Sequence, residues 1–223
     1  MASGPLYMFD LDNTLYPPEV ELWRMVDRRI ERYVQERIGV APDEAREIRK
    51  AFLREFGTTL RGLMQHHGVP PGEYLDFVHD VPVERVVPPR PELREMLSGL
   101  AGEKVVFTNG SESYARRVLD ALGVSREIDG IYGIEFMEYI AKPSPYPYRK
   151  LLETTGAVPA RTLFCEDVRE NLLPARELGI FTVWVGGTEG ESPAHAVVRD
   201  VCELPAVLPR FLRNGDRGNG GEE

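Results

Sequence analysis

The chain predicts an α/β fold: a parallel-sheet core with an all-helical segment inserted near its start. Three observations carry this prediction. Short apolar runs of strand length alternate with helical stripes over the second half of the 223 residues. Residues 17–85 hold helical stripes and no convincing strand. The polar residues best suited to chemistry mostly stand where apolar runs end, which is where ligands bind in sheets of this kind.

The elements follow in order. Leu6–Phe9 is a short apolar run that reads as a buried strand. Pro17-Pro18 then marks entry to the helical segment. Leu22, Val26, Ile30 and Tyr33 form one stripe. Ile48, Phe52 and Phe56 form a second, opened by Pro42-Asp43 and closed by Gly57. Leu60, Leu63 and Met64 form a third, closed by Gly68, and Tyr74, Phe77 and Val78 a fourth after Pro70-Pro71. Pro88-Pro89 marks the exit. Beyond it come the strand runs Val105–Thr108, Leu163–Cys165 and Thr182–Val185, and a weaker one at Ile131–Ile134. Between them lie the stripes Leu93/Met96/Leu97/Leu100 and Ala115/Val118/Leu119/Leu122, the second stopped by Gly123. Leu151, Leu152 and Thr155 precede Gly156, and Leu172, Ala175 and Leu178 precede Gly179. The core is therefore expected over 1–16 and 86–213, and the helical insert over 17–85. The insert stands where it could cover a site at the first strand end as a lid; a helical decoration packed elsewhere would carry the same pattern. The tail 214–223 has no apolar residue and is expected to be disordered.

Composition narrows the function. A chain that is 42% hydrophobic and 28% charged can bury a sizeable core. No apolar run approaches the ~18 residues of a membrane span, and residues 1–5 lack the regions of a signal peptide, so no membrane is expected and the expected location is cytoplasmic. The net charge of −9 disfavours a nucleic-acid polymer. Cys165 and Cys202 read as reduced structural thiols, with Cys165 in a strand, and neither lies in a zinc-type cluster. His66 and His67, being adjacent, cannot share a helix face; with His79 and His195 they read as surface or packing residues, a substrate contact from His66 or His67 remaining open.

The chemistry is concentrated in four short motifs. Asp10-Leu11-Asp12-Asn13-Thr14 puts two carboxylates at a strand exit, where one can act as nucleophile, the other as proton donor, and both can help seat a hard cation. Thr108-Asn109-Gly110 ends a second strand, Lys142-Pro143 follows, and Glu166-Asp167 ends a third. Adjacent carboxylates at a buried sheet edge are costly without a cation.

In this order the motifs resemble the haloacid dehalogenase-like (HAD) phosphohydrolase superfamily, over nearly the whole folded chain. Within it, Phe9–Pro17 and Phe56-Gly57-Thr58-Thr59-Leu60 look like the pyrimidine 5′-nucleotidase-like subgroup. The resemblance implies a Rossmann-like core with a helical cap. It also implies a Mg²⁺-dependent phosphomonoesterase that works through an aspartyl-phosphate and acts on a small phosphorylated metabolite. Pyrimidine nucleoside 5′-monophosphates are the leading substrate class; a sugar phosphate or phosphoglycolate is the alternative. Asp10 would be the nucleophile and Asp12 the general acid, then base. Thr108 with the backbone near Asn109 and Gly110 would hold the phosphoryl oxygens, and Lys142 would neutralise phosphoryl group and nucleophile. Asp10, Asp167 and the Asp12 carbonyl would ligate Mg²⁺, with Glu166 as a ligand, directly or through water, or as a support. Many relatives have Asp-Asp where this chain has Glu166-Asp167. Asn171 could brace that loop or cap the following helix. Thr58 and Thr59 offer hydroxyls to a polar leaving group. A dehalogenase would need neither Asp12 nor a metal. A mutase would need cap residues that hold a phosphorylated intermediate, and none is identified. A non-catalytic binding module would be expected to have lost a catalytic group.

Overall fold

The computed structural model describes residues 4–188 and 192–217. Its centre is a six-stranded, wholly parallel sheet in the order β3-β2-β1-β4-β5-β6. The strands are β1 (Leu6–Phe9), β2 (Glu103–Phe107), β3 (Gly130–Tyr132), β4 (Thr162–Glu166), β5 (Phe181–Val185) and β6 (Ala196–Val198). Central β1 and β4 are buried along their whole length, as strands covered on both faces by helices must be. Phe9 pairs in register with Val106 on one side and Cys165 on the other. The chain leaves β1 first towards β2 and β3, then crosses back to β4. The strand order thus reverses between β1 and β4, and a crevice opens beyond their carboxyl ends.

Between β1 and β2 run the helices α1 (Leu22–Ile38), α2 (Pro42–Phe56), α3 (Thr59–His67), α4 (Pro71–Val78), the short α5 (Val83–Val86) and α6 (Pro91–Ser98). The four stripes read from the sequence fall on α1 to α4. Gly57 and Gly68 end α2 and α3 at φ 80° and 59°, a conformation that costs a residue without Cβ little. Two arginines hold the ends of this stretch to neighbouring segments. Arg90 donates to the Leu15 carbonyl at 3.0 Å and pairs with Asp200 at 2.9 Å. Arg117 donates to the carbonyls of His79 and Val81 and pairs with Glu84. Residues 85 and 86, between which the sequence reading divides insert from core, both lie in α5, ahead of the exit at Pro88-Pro89.

The remaining helices are α7 (Glu112–Leu122), α8 (Pro145–Thr155), α9 (Arg169–Glu177) and α10 (Leu208–Arg217). Three features differ from the sequence reading. The weak strand at 131–134 is β3 and stops at Tyr132. The backbone of Gly133 then passes so close to Gly110 and Glu112 that a Cβ would lie 2.8–2.9 Å from their main-chain atoms. The edge strand β6 has only three residues, too few to show a period. The tail expected to be disordered from residue 214 continues α10 to Arg217; Phe211, buried against Tyr7 and Phe181, anchors that helix. Residues 218–223 of that expectation lie outside the described residues.

Candidate active site

The site grows out of the crevice between β1 and β4. The Asp10 amide extends the ladder, donating to the Cys165 carbonyl at 2.9 Å. The chain then turns: the Thr14 and Leu15 amides both donate to the Leu11 carbonyl, and Asn13 takes φ 58°, a conformation that asparagine tolerates better than most residues. The turn keeps Asp10 and Asp12 at the same mouth of the sheet.

Lys142 is the centre of the cluster. Its side chain is 1% exposed, and Nζ donates to Asp10 Oδ1 at 2.6 Å, to Glu166 Oε2 at 2.8 Å and to the Phe107 carbonyl at 2.8 Å. All three ammonium protons are therefore used. The rings of Phe107 and Phe164 lie 5.3 and 5.2 Å from the ammonium. Burial alone would lower the lysine's pKa, but the charges of Asp10 and Glu166 outweigh it, and the net shift is upward.

Glu166 is fully buried. Its Oε1 accepts from the Val168 amide at 3.0 Å, and Oε2 accepts from Asn171 Nδ2 at 3.0 Å as well as from the lysine. Asn171 thus braces the loop from within α9, while Val168 occupies the helix cap position without a side-chain bond. Asp167 Oδ1 accepts a long hydrogen bond of 3.4 Å from Thr14 Oγ1, and its carbonyl accepts from Trp184 Nε1 at 2.8 Å.

One carboxylate oxygen each from Asp10, Glu166 and Asp167 can be chosen within 4.8 Å of one another. Three carboxylates against one ammonium leave two negative charges uncompensated. The consequence is visible in the acids themselves. Burial first, then the Glu166 charge, push Asp10 well above the usual carboxylate range, and the same two causes push Asp167 up to about 7. A hard divalent cation, which takes oxygen ligands, fits both the donor set and the missing charge.

Thr108 is 1% exposed at the end of β2. Its hydroxyl accepts from the Gly110 amide at 3.0 Å, leaving its own proton to donate to an anion. Gly110 packs under Tyr114, where a Cβ would lie 3.2 Å from the ring. The Asn109 side chain is consumed by the lysine loop: Nδ2 donates to the Lys142 carbonyl at 3.1 Å, and Oδ1 accepts the Lys142 amide at 2.9 Å. What Asn109 could offer a ligand is therefore its backbone.

Asp12 is half-buried at the mouth. Its Oδ1 accepts from two phenols, Tyr16 and Tyr114, the latter at 2.7 Å. Burial raises its pKa, and the two tyrosine hydrogen bonds oppose the rise. Tyr114 in turn stacks on His79, ring centroids 4.3 Å apart, and His79 Nδ1 lies 3.0 Å from Ser111 Oγ. Neither tyrosine was singled out from sequence. Tyr114 could have been found as an aromatic on the first turn of the helix after Thr108, on the same face as Val118.

The insert residues Thr58 and Thr59 open α3. Thr58 Oγ1 caps the helix by accepting from the Arg61 amide at 3.1 Å. Among the described residues, no hydrogen bond joins either threonine to the cluster around Lys142. His66 stacks on Phe52 in the insert, and His195 bonds to Thr182 and stacks on Phe181, so both pack away from the cluster. Cys165 is buried and Cys202 half-buried, and both thiols are free. No helix among the described residues is long and apolar enough to cross a membrane.

Known proteins resemble this chain over most of its length. The family described as haloacid dehalogenase-like hydrolase matches residues 5–179. Phosphate metabolism protein 8 of Saccharomyces cerevisiae is 25% identical over 231 residues, spanning 91% of this chain and 72% of that protein. Validoxylamine A 7′-phosphate phosphatase of Streptomyces hygroscopicus subsp. limoneus is 26% identical over 215 residues, spanning 88% and 94%. Among solved structures, L-2-haloacid dehalogenase from Xanthobacter autotrophicus superimposes with a TM-score of 0.61 at 16% identity, covering 92% of this chain and 98% of that one, a likeness of fold alone.

Proposed function

The chain belongs to the haloacid dehalogenase-like hydrolase family, and on that premise we propose that it is a Mg²⁺-dependent phosphomonoesterase working through an aspartyl-phosphate. The observation that carries this reading is the pairing of Asp12 with the cluster of Asp10, Lys142 and Asp167. A hydrolytic dehalogenase on this fold needs a nucleophilic carboxylate, but neither a proton donor two residues on nor a cation. Two relatives whose names refer to phosphate metabolism and to a phosphatase support the same side.

In this reading Asp10, Asp167 and the backbone carbonyl of Asp12 hold the cation, which would draw charge from the phosphoryl oxygens and quiet the repulsion between carboxylates. Glu166 supports the site by holding Lys142 and the loop to Asn171. The Asp10 carboxylate attacks phosphorus while Lys142, whose charge opposes the rise in its pKa, keeps it aligned. The Thr108 hydroxyl and the backbone amides of Asn109 and Gly110 hold the phosphoryl oxygens. Asp12 gives its proton to the leaving alkoxide, then takes one from the water that hydrolyses the acyl phosphate. Residues 17–85 act as a cap that shields the reaction and meets the part of the substrate beyond the phosphate. Phe9–Pro17 and Phe56–Leu60 favour a pyrimidine nucleoside 5′-monophosphate as that substrate.

A panel of phosphorylated metabolites, nucleotides included, tests the proposal with Mg²⁺ and with excess chelator. Turnover is expected with Mg²⁺, poor activity with Ca²⁺, whose looser shell misplaces the nucleophile, and none in chelator. Asp10→Asn is expected to lose at least ~10³-fold in kcat with the fold retained. Full activity in chelator, or a near wild-type Asp10→Asn, overturns the reading.

A further inference from the structure

We propose that Tyr16 and Tyr114 are positioning residues for the general acid: together they occupy Asp12 Oδ1 and so hold Oδ2, the oxygen that carries the proton, towards the leaving group. This rests on the phosphatase reading and extends it to two residues outside the four catalytic motifs.

The geometry is specific. Tyr16 is 0% exposed and Tyr114 1%, so each phenol must find a partner inside the protein. Both donate to the same oxygen, although Tyr16 comes from the turn after β1 and Tyr114 from the first turn of α7. The Tyr114 ring is not free to swing. Tyr114 lies on His79, planes within 11°, and over Gly110, where a Cβ would already touch it. Ser111, whose hydroxyl caps α7 by accepting from the Tyr114 amide, also faces the His79 ring.

A carboxyl oxygen has two lone-pair directions. With both filled by phenol protons, Oδ1 can serve only as acceptor, and a proton on Asp12 resides on Oδ2. No donor to Oδ2 exists among the described residues, so Oδ2 alone is available to substrate. In the first step the Oδ2–H bond breaks, and its proton passes to the ester oxygen. That oxygen takes the electron pair of its breaking bond to phosphorus, while an Asp10 oxygen forms the new bond. Asp12 is left as carboxylate and the leaving group departs as neutral alcohol. Without the phenols the carboxyl can rotate and present either oxygen, or its proton can point away. The loss then falls on leaving groups that need the proton. In a purely structural role, the two tyrosines would merely fill space and satisfy their own hydroxyls.

The test uses Tyr16→Phe, Tyr114→Phe and the double variant, which keep the rings, with thermal melting to establish folding. The value of kcat/KM, which reports the steps up to phosphoenzyme formation, is measured with Mg²⁺ on a simple alkyl phosphate and on 4-nitrophenyl phosphate. We expect a loss of roughly 10-fold on the alkyl ester for each single variant, a fraction of the 10²–10⁴ that a general acid supplies, and at most about 3-fold on the aryl ester. Competitive inhibition by inorganic phosphate should be unchanged, because Thr108 and Lys142 are untouched. Equal losses on both esters, no loss on either, or weakened phosphate inhibition of the same size overturns the proposal. Should one variant fail to fold, the other decides. Asp12→Asn separates the two levels. If it shows the selective loss and the tyrosine variants do not, only this inference fails. If the parent is inactive, or Asp12→Asn affects both esters equally, the underlying acid assignment fails with it.

Discussion

Replacing His79 by Asn should flatten the acid side of the stability curve. His79 is 8% exposed, stacked on the ring of Tyr114, and Arg117 Nη1 holds its carbonyl. Burial first, and then the Arg117 charge, lower its pKa from 6.5 to about 3. An imidazole kept neutral in the folded state but free to protonate when unfolded makes the unfolded chain bind more protons. Stability from this group is fully present above the unfolded value near 6.5 and is lost as pH falls towards the folded one. Between about pH 7 and about pH 5 the folded ring stays neutral while the unfolded ring charges almost fully, a loss of about 2 kcal/mol. For a chain of this size that is a fall of roughly 4–8 °C in Tm. Asn offers Ser111 a similarly placed hydrogen-bond partner but has no proton to gain. Urea unfolding of both proteins in chelator at the two pH values isolates the term, because the raised carboxylates Asp10 and Asp167 contribute equally to each. The expected result is a pH-dependent loss smaller by about 2 kcal/mol in His79→Asn, whatever its absolute stability. Identical pH dependence would show that His79 is not held neutral by its surroundings.

Lys142→Met leaves Asp10 and Glu166 buried without their common cation, so it should cost about 3 kcal/mol or more in chelator near neutral pH, as read by urea unfolding. A change within about 1 kcal/mol would mean that the carboxylates shed their charge by taking up protons. Thr58→Ala removes the cap of α3 and should cost about 1 kcal/mol in thermal unfolding. Thr59→Ala, which removes no cap, is therefore the cleaner probe of substrate contact. It should alter relative kcat/KM among nucleotides and other phosphomonoesters by several-fold, a hydrogen bond's worth, and an unaltered ranking would remove the start of α3 from the pocket.

Much of this protein was legible in its sequence, and the reason is local. Strands buried on both faces must be continuously apolar, so β1, β2, β4 and β5 announced themselves. Glycine and proline punctuate helices through their own backbone limits, so both ends of α2, the end of α3 and the start of α4 could be read from Pro42, Gly57, Gly68 and Pro70-Pro71. The clustered carboxylates were legible because they stand in short runs at strand ends: Asp10 and Asp12 share one turn, and Glu166 and Asp167 are neighbours. What only the tertiary structure decided are the partners brought together across long stretches of chain. That Lys142 gives its three protons to Asp10, Glu166 and the Phe107 carbonyl depends on how three separate strand ends converge. That the Asn109 side chain serves the lysine loop, and that Asn171 braces Glu166 from inside a helix, follow from packing that no spacing encodes. Tyr114 lies 102 residues from Asp12 in the chain, and its ring is indistinguishable by period from any other core aromatic. The same holds for the end of the chain, where one buried ring, Phe211, continues a helix that composition alone would have let fray. Local propensity follows from what stands next to a residue in the chain, whereas a hydrogen bond across the site depends on where the whole sheet delivers its ends.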